Sequence, residues 1–156
     1  MTCLAAVAYD PSTAVSKATT AALALTALDT TNLRLTFNAP ASGRVWVDLS
    51  ATLHGATTFP QVLLGVLGNI AGGSGTSVLG RVSPEGLLNG TGVATTFLTV
   101  RAWFPISGLS AGTSYSLDAA YGVETAVAST GLKYGGPNDA TANNAWGACV
   151  FSVWDL

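Results

Sequence analysis

The sequence predicts an all-β protein of two packed antiparallel sheets, a sandwich or jelly roll, on three observations. Apolar and polar residues alternate over several short stretches, the period of a strand with one buried face. Eight to ten such stretches follow one another at near-regular spacing, parted by clusters of Gly, Pro, Asn and Ser. No stretch carries a convincing helical period.

Taken in order, Leu4–Tyr9 reads as a strand closed by Asp10-Pro11, and 11–20 reads as a polar loop. Ala21–Leu28 is rich in helix formers, yet Leu23, Leu25 and Ala27 alternate with Ala22, Ala24 and Thr26, so it reads as extended. Asp29–Asn32 is a turn into the clearest stretch of the chain, Asn32–Gly55, which reads as strand, tight polar turn, strand. Leu33, Leu35 and Phe37 share one face of its first arm, and Val45, Val47, Leu49 and Leu53 share one face of its second. Pro60–Gly68 is apolar throughout and suits a strand covered on both faces. A loop follows over 69–76, then a strand over 77–82 and a Gly-containing connection over 87–93. The segment 94–106 is the longest strand, with Pro105 near its end, where a ladder donor can be spared. Ser114–Val123 alternates again, Leu132–Tyr134 is extended, 135–144 is a polar loop, and 147–154 is a closing strand.

The chain of 156 residues fits one domain, 1–156, large enough for a substantial core. Its charge content is 9%, against about 25% in an ordinary globular protein, while hydrophobic residues reach 49% and the mean hydropathy is +0.45. Disorder is excluded by that balance. So few charges leave the surface poorly solvated, and an obligate oligomer is expected, because such interfaces resemble a core cut in half. The net charge of −2 and the scattered Lys and Arg argue against nucleic acid as a partner. No run reaches the roughly 18 apolar residues of a membrane span. Met1–Leu4 has no positive region, so a signal peptide is not expected.

Catalytic and cofactor chemistry is thin. His54 has no nearby Cys or carboxylate cluster and reads as a surface or loop residue. Gly73-Ser74-Gly75 lacks the strand-to-helix setting of a nucleophile elbow. The Gly-rich segments lack the Lys-Ser/Thr of a phosphate loop. The carboxylates Asp10, Asp29, Asp48, Glu85, Asp118, Glu124, Asp139 and Asp155 fall mostly in turns or on exposed strand positions. An enzyme is not expected, nor any cofactor or metal.

The aromatic residues carry more weight. Most of Trp46, Trp103, Trp146, Trp154, Tyr115, Tyr121 and Tyr134 should fill the core, but Trp46 shares its strand face with Arg44 and Asp48, opposite Val45, Val47 and Leu49. An outward Trp on a strand of low charge is a candidate interface anchor. Cys3 and Cys149 each fall in a strand-like segment. They read either as two small apolar residues or, if the first and last strands pair, as a disulfide.

Three segments in order then resemble a known family: Phe37–Val47 within 33–53, Gly108–Asp118, and Leu132–Asn138 followed by Ala145–Trp154. Together they resemble the small jelly-roll domains of tailed-bacteriophage virion proteins, related in shape to complement globular heads and tumour-necrosis-factor-like trimers. The resemblance covers about 120 residues from Asp29 onward. It implies a ten-stranded, homotrimeric jelly roll on the virion surface, assembled in the host cytoplasm. It would serve as a minor tail or fibre component or a capsid decoration, with other virion proteins as partners. It implies no catalytic residue. Residues 1–28 would be a docking arm or an added edge strand, and the lack of a preceding stalk favours an accessory protein over a fibre tip. The candidate interface comprises Arg44, Trp46, Asp48, Tyr134 and Trp154. Leu109–Tyr115 also resembles the corner of fibronectin type III domains, where a Tyr hydroxyl bonds back to the loop, so an immunoglobulin-like sandwich is the alternative fold. A carbohydrate-binding jelly roll is the alternative function, with Trp46 or Trp103 as platform and a host-surface glycan as ligand.

Overall fold

The computed structural model describes residues 1–11, 15–17, 25–55, 62–70, 76–77, 97–123, 132–135 and 149–156. They form two antiparallel sheets packed face to face, with no helix among them. The strands are β1 (Cys3–Tyr9), β2 (Val15–Lys17), β3 (Thr26–Ala27), β4 (Arg34–Asn38), β5 (Val45–Gly55), β6 (Val62–Ile70), β7 (Thr76–Ser77), β8 (Phe97–Ile106), β9 (Ser114–Val123), β10 (Leu132–Tyr134) and β11 (Cys149–Asp155).

These eleven segments occupy eight lanes, because three lanes are interrupted. β1 and β2 share the first lane, β3 and β4 the second, and β10 and β11 the eighth. Sheet A then runs first–eighth–third–sixth, with β5 at its centre and β8 along one border. Sheet B runs second–seventh–fourth–fifth, centred on β9 and β6. The pairings nest: β1 with β11, β4 with β9, β5 with β8, and β6 with β7. A long antiparallel ribbon wound into two sheets is a jelly roll. The immunoglobulin-like alternative is set aside, since its first strand does not lie beside its last.

The alternation read from the sequence is the alternation of the core. Leu33, Leu35 and Phe37 face inward from β4 and its approach, as do Val45, Val47, Leu49, Ala51 and Leu53 from β5, and Phe151 and Val153 from β11. β6 is buried on both faces over most of its length, as its unbroken apolar run predicts. Two expected loops change. Residues 15–17, read as loop, form β2, which satisfies the otherwise open edge of β10 at Val15↔Tyr134. Residues 3–9 and 15–17 are strands built into the border of sheet A. Of the loop expected over 69–76, Asn69 and Ile70 end β6 and Thr76 begins β7, while 71–75 and the strand expected beyond 77 lie outside the described residues.

One end of the sandwich is tied tightly. The Ala39 N–H donates to the Thr113 carbonyl at 2.9 Å, Gly112 to Ala39 at 2.8 Å, and Leu109 to Gly43 at 3.1 Å. Gly43 has φ +63°, and a Cβ there would lie 2.5 Å from the Leu109 carbonyl oxygen, so only glycine lets the two loops meet. The Ser110 N–H donates to the Tyr115 hydroxyl at 3.0 Å. The tyrosine corner legible in Leu109–Tyr115 is therefore present, in a jelly roll.

Candidate functional site

The outer face of sheet A is built from the residues that alternate with the core positions of β5, β8 and β11. Register sets them in rows. Trp154, Trp46 and Pro105 form one row, Ser152, Asp48 and Trp103 the next, and Val150, Ser50 and Arg101 the third. A period of two thus converts three separate stretches of sequence into one patch.

Trp103 is 50% exposed and Val150 44% exposed, whereas Trp46 and Trp154 are half-buried. Trp46 and Trp103, diagonal neighbours, meet edge to face with ring centroids 4.6 Å apart and an interplanar angle of 78°. Arg101 reaches along the parallel diagonal to Asp48. Its Nε and one terminal nitrogen donate to the two Asp48 carboxylate oxygens at 2.8 and 2.7 Å, while its guanidinium lies 5.8 Å from the centroid of the Trp103 ring. The bidentate hydrogen bonds to Asp48, helped by its charge, raise the Arg101 pKa further. The Trp154 indole N–H donates to the Ser152 hydroxyl at 2.9 Å. The Trp46 indole N–H, sealed beneath its neighbours, has no acceptor.

Of the expected interface residues, Trp46, Asp48 and Trp154 lie together on this face, and exposed Arg44 leads into it at the start of β5. Tyr134 does not belong there. It is 1% exposed, and its hydroxyl donates to Asp29 Oδ2 at 3.1 Å across the two sheets. It also stands among the aromatic residues of which most should fill the core, and in the paired lane it falls on the core side opposite Leu53. Trp103 and Arg101, absent from the expected interface, are exposed on it. The signal was available in the alternation of Arg101 and Trp103 with Val100, Ala102 and Phe104.

The disulfide is also corrected. The first and last strands do pair, but Cys3 stands opposite Trp154 and Cys149 opposite Tyr9. The two thiols are therefore at opposite ends of the ladder, about 20 Å apart by strand rise, far beyond disulfide reach. Both are free, with Cys3 exposed and Cys149 buried. Burial pushes the Cys149 thiol up to about 12, so it stays protonated and inert.

Among the described residues several carboxylates are held by donors, whereas Asp10 Oδ1 is buried without a partner. Asp118 receives Arg34 through two bonds of 2.6 and 2.7 Å on the outer face of sheet B. Asp29 accepts from the Thr31 and Asn32 N–H groups, both at 2.8 Å, from the Asn32 side chain at 2.9 Å and from Tyr134. Burial alone would raise the Asp29 carboxyl, but these donors outweigh it and bring it down to about 2. Burial, and then the Asp29 charge, push the Tyr134 phenol up. Asp155 accepts from the Thr2 N–H where the two termini meet. His54 lies on β5 opposite Phe97 and Lys133. Among the described residues no group of three His, Cys, Asp or Glu side chains is arranged to hold a metal ion, and no helix is long and apolar enough to cross a membrane. No protein-family model and no curated protein matches the sequence.

Proposed function

We propose that the chain is a non-catalytic jelly-roll subunit that assembles with two further copies through the outer face of sheet A. Its setting is the surface of a tailed-phage particle, as a minor tail or fibre component or a capsid decoration. The observation that carries the assembly is the half-exposed Trp103, set edge to face against Trp46 in one patch with Trp154 and Val150 across β8, β5 and β11. Large aromatic side chains on a rigid face are what interface centres use. A charge content of 9% supports the same reading, because little else on the surface resists association. The commitment of Asp29, Asp48 and Asp118 to structural donors supports a non-catalytic role. The three-segment resemblance supplies the virion setting and the threefold stoichiometry.

Light scattering of the purified chain should give three times 15.7 kDa, and Trp103→Ala should shift it toward the monomer. A wild-type monomer at micromolar concentration would overturn the assembly. The adjacent genes should encode capsid or tail proteins, and a metabolic neighbourhood would remove the virion setting. A second reading rests on Asp48 and Arg101 beside Trp103, an aromatic plane flanked by an acceptor and a donor, which suits a host-surface glycan. It predicts retention on a polysaccharide column that Trp103→Ala abolishes while the oligomeric mass stays unchanged.

A further inference from the structure

We propose that the outer face of sheet A takes an acidic polysaccharide whose carboxylates are sparse, with a sugar ring on Trp103 and a carboxylate on Arg101. The inference rests on the glycan reading above and names the ligand class. A charge asymmetry carries it. The protein has a net charge of −2, from six Lys and Arg and eight Asp and Glu. Yet its outer face gathers Arg44, Arg101 and Lys133, the last alternating with buried Tyr134 in the row of His54. Among the described residues, the strands of this face set only one carboxylate, Asp48, against them. A positive face on a negative protein calls for an anionic ligand.

The spacing of the cations narrows the class. Arg101 stands three rows from Arg44, ~20 Å by strand rise, and Lys133 stands two rows further, ~14 Å. A nucleic-acid strand presents a charge every ~3.4 Å and would leave most of its phosphates unmatched. A peptide would find no main-chain partner here, since β5 is paired on both sides by β8 and β11. A polysaccharide needs none. Half-exposed Trp103 offers a ring plane to the apolar face of a pyranose. Asp48, with lone pairs beyond those its arginine takes, accepts from sugar hydroxyls. Arg101 gives Asp48 two of its five N–H groups, which hold the guanidinium 5.8 Å from the Trp103 centroid and leave three for a ligand carboxylate. Neutral sugars between the acidic ones carry the ligand from one cation to the next.

The test is affinity electrophoresis in gellan, whose uronates are parted by neutral sugars, beside its carboxyl-reduced and therefore neutral twin. Wild-type affinity for gellan should exceed that for the reduced polymer about tenfold or more. Arg101→Met should remove that preference and Arg44→Gln part of it, whereas Trp103→Ala should abolish binding to both polymers. All three positions are exposed, so circular dichroism and the thermal midpoint should be unchanged in the variants. Equal wild-type affinity for the two polymers would overturn the acidic class and leave the glycan reading standing. Retention by neither would sink both. Polyglutamate or single-stranded DNA bound as tightly as gellan would also overturn the inference, since the face would then read charge alone.

Discussion

The Arg34–Asp118 pair on sheet B and the Arg101–Asp48 pair on sheet A are built alike: arginine on one strand, aspartate on its antiparallel neighbour, two hydrogen bonds of 2.6–2.8 Å. Their surroundings differ. Arg34 and Asp118 are directly opposite in register, and the Asp118 side chain is only 10% exposed. Next to them Thr36 and Ser116 share a hydroxyl contact of 3.0 Å, and Leu63 and Ala120 on the same face are buried. Arg101 and Asp48 are diagonal, with side chains 62% and 26% exposed, and their neighbours are Trp103 and Trp46. One pair closes a finished surface; the other sits on a surface whose aromatic residues remain half in water. The chemistry of an ion pair does not reveal its role, whereas the company it keeps does.

The largest effect should come from neither face. Leu49 lies beside Asp48 on β5 but points inward and is fully buried. Leu49→Ala should cost about 2–5 kcal/mol in urea unfolding, because the cavity it leaves is walled by both sheets. Any loss of assembly in that variant should track unfolding. Dissociation into folded monomers would break the distinction between inside and outside on which the comparison depends.

Asp118→Ala should cost about 1–2 kcal/mol of subunit stability, since it strips a mostly buried acceptor from Arg34, although solvent at the arginine limits the loss. Its oligomeric mass should stay that of the wild type. A change in mass with no change in stability would show that sheet B, not sheet A, carries the assembly face.

A third carboxylate sharpens the comparison from between the sheets. Asp29 sits at about 2 in the folded protein against an ordinary 3.8, so the folded state binds fewer protons between those values. Its contribution is complete above about pH 5 and is lost as pH falls through 4 toward 2. Asp29→Asn should flatten that acid limb of the urea midpoint by about 1 kcal/mol after solvent screening. An unchanged acid limb would mean the Tyr134 tie between sheets is incidental.

What the sequence disclosed follows from the range of the forces involved. The strands around Phe37, Val47, Leu117 and Phe151 were legible because alternation is local and the core enforces it. The corner at Tyr115 was legible because loop and tyrosine are five residues apart. The burial of Tyr134 and the separation of Cys3 from Cys149 were not. Both depend on register between segments more than 70 residues apart, and a shift of one residue would turn each side chain to the other face. Val15–Lys17 was hidden for the same reason, since only the waiting edge of β10 makes it a strand. The aromatic face was half legible: Trp46 stood out within its own strand, while Trp103 joined it only through the β5–β8 pairing.

The smallest predicted effect concerns the indole N–H of Trp46. It is buried with no acceptor, a state that costs free energy because the group gives up its water bond without replacement. Trp103 lies edge to face against this ring, and Pro105 on the opposite strand has no side-chain acceptor to offer and is turned to solvent. Trp46→Phe removes the unpaired donor and some contact area together, so subunit stability should move by less than about 1 kcal/mol in either direction. Association should weaken only modestly, because an aromatic ring still backs Trp103. If Trp46→Phe instead abolished assembly with the fold intact, the N–H would have to find its acceptor in the second copy. The Trp46 ring would then turn outward on docking, and the face would be one that rearranges as it closes rather than one preformed in the free subunit.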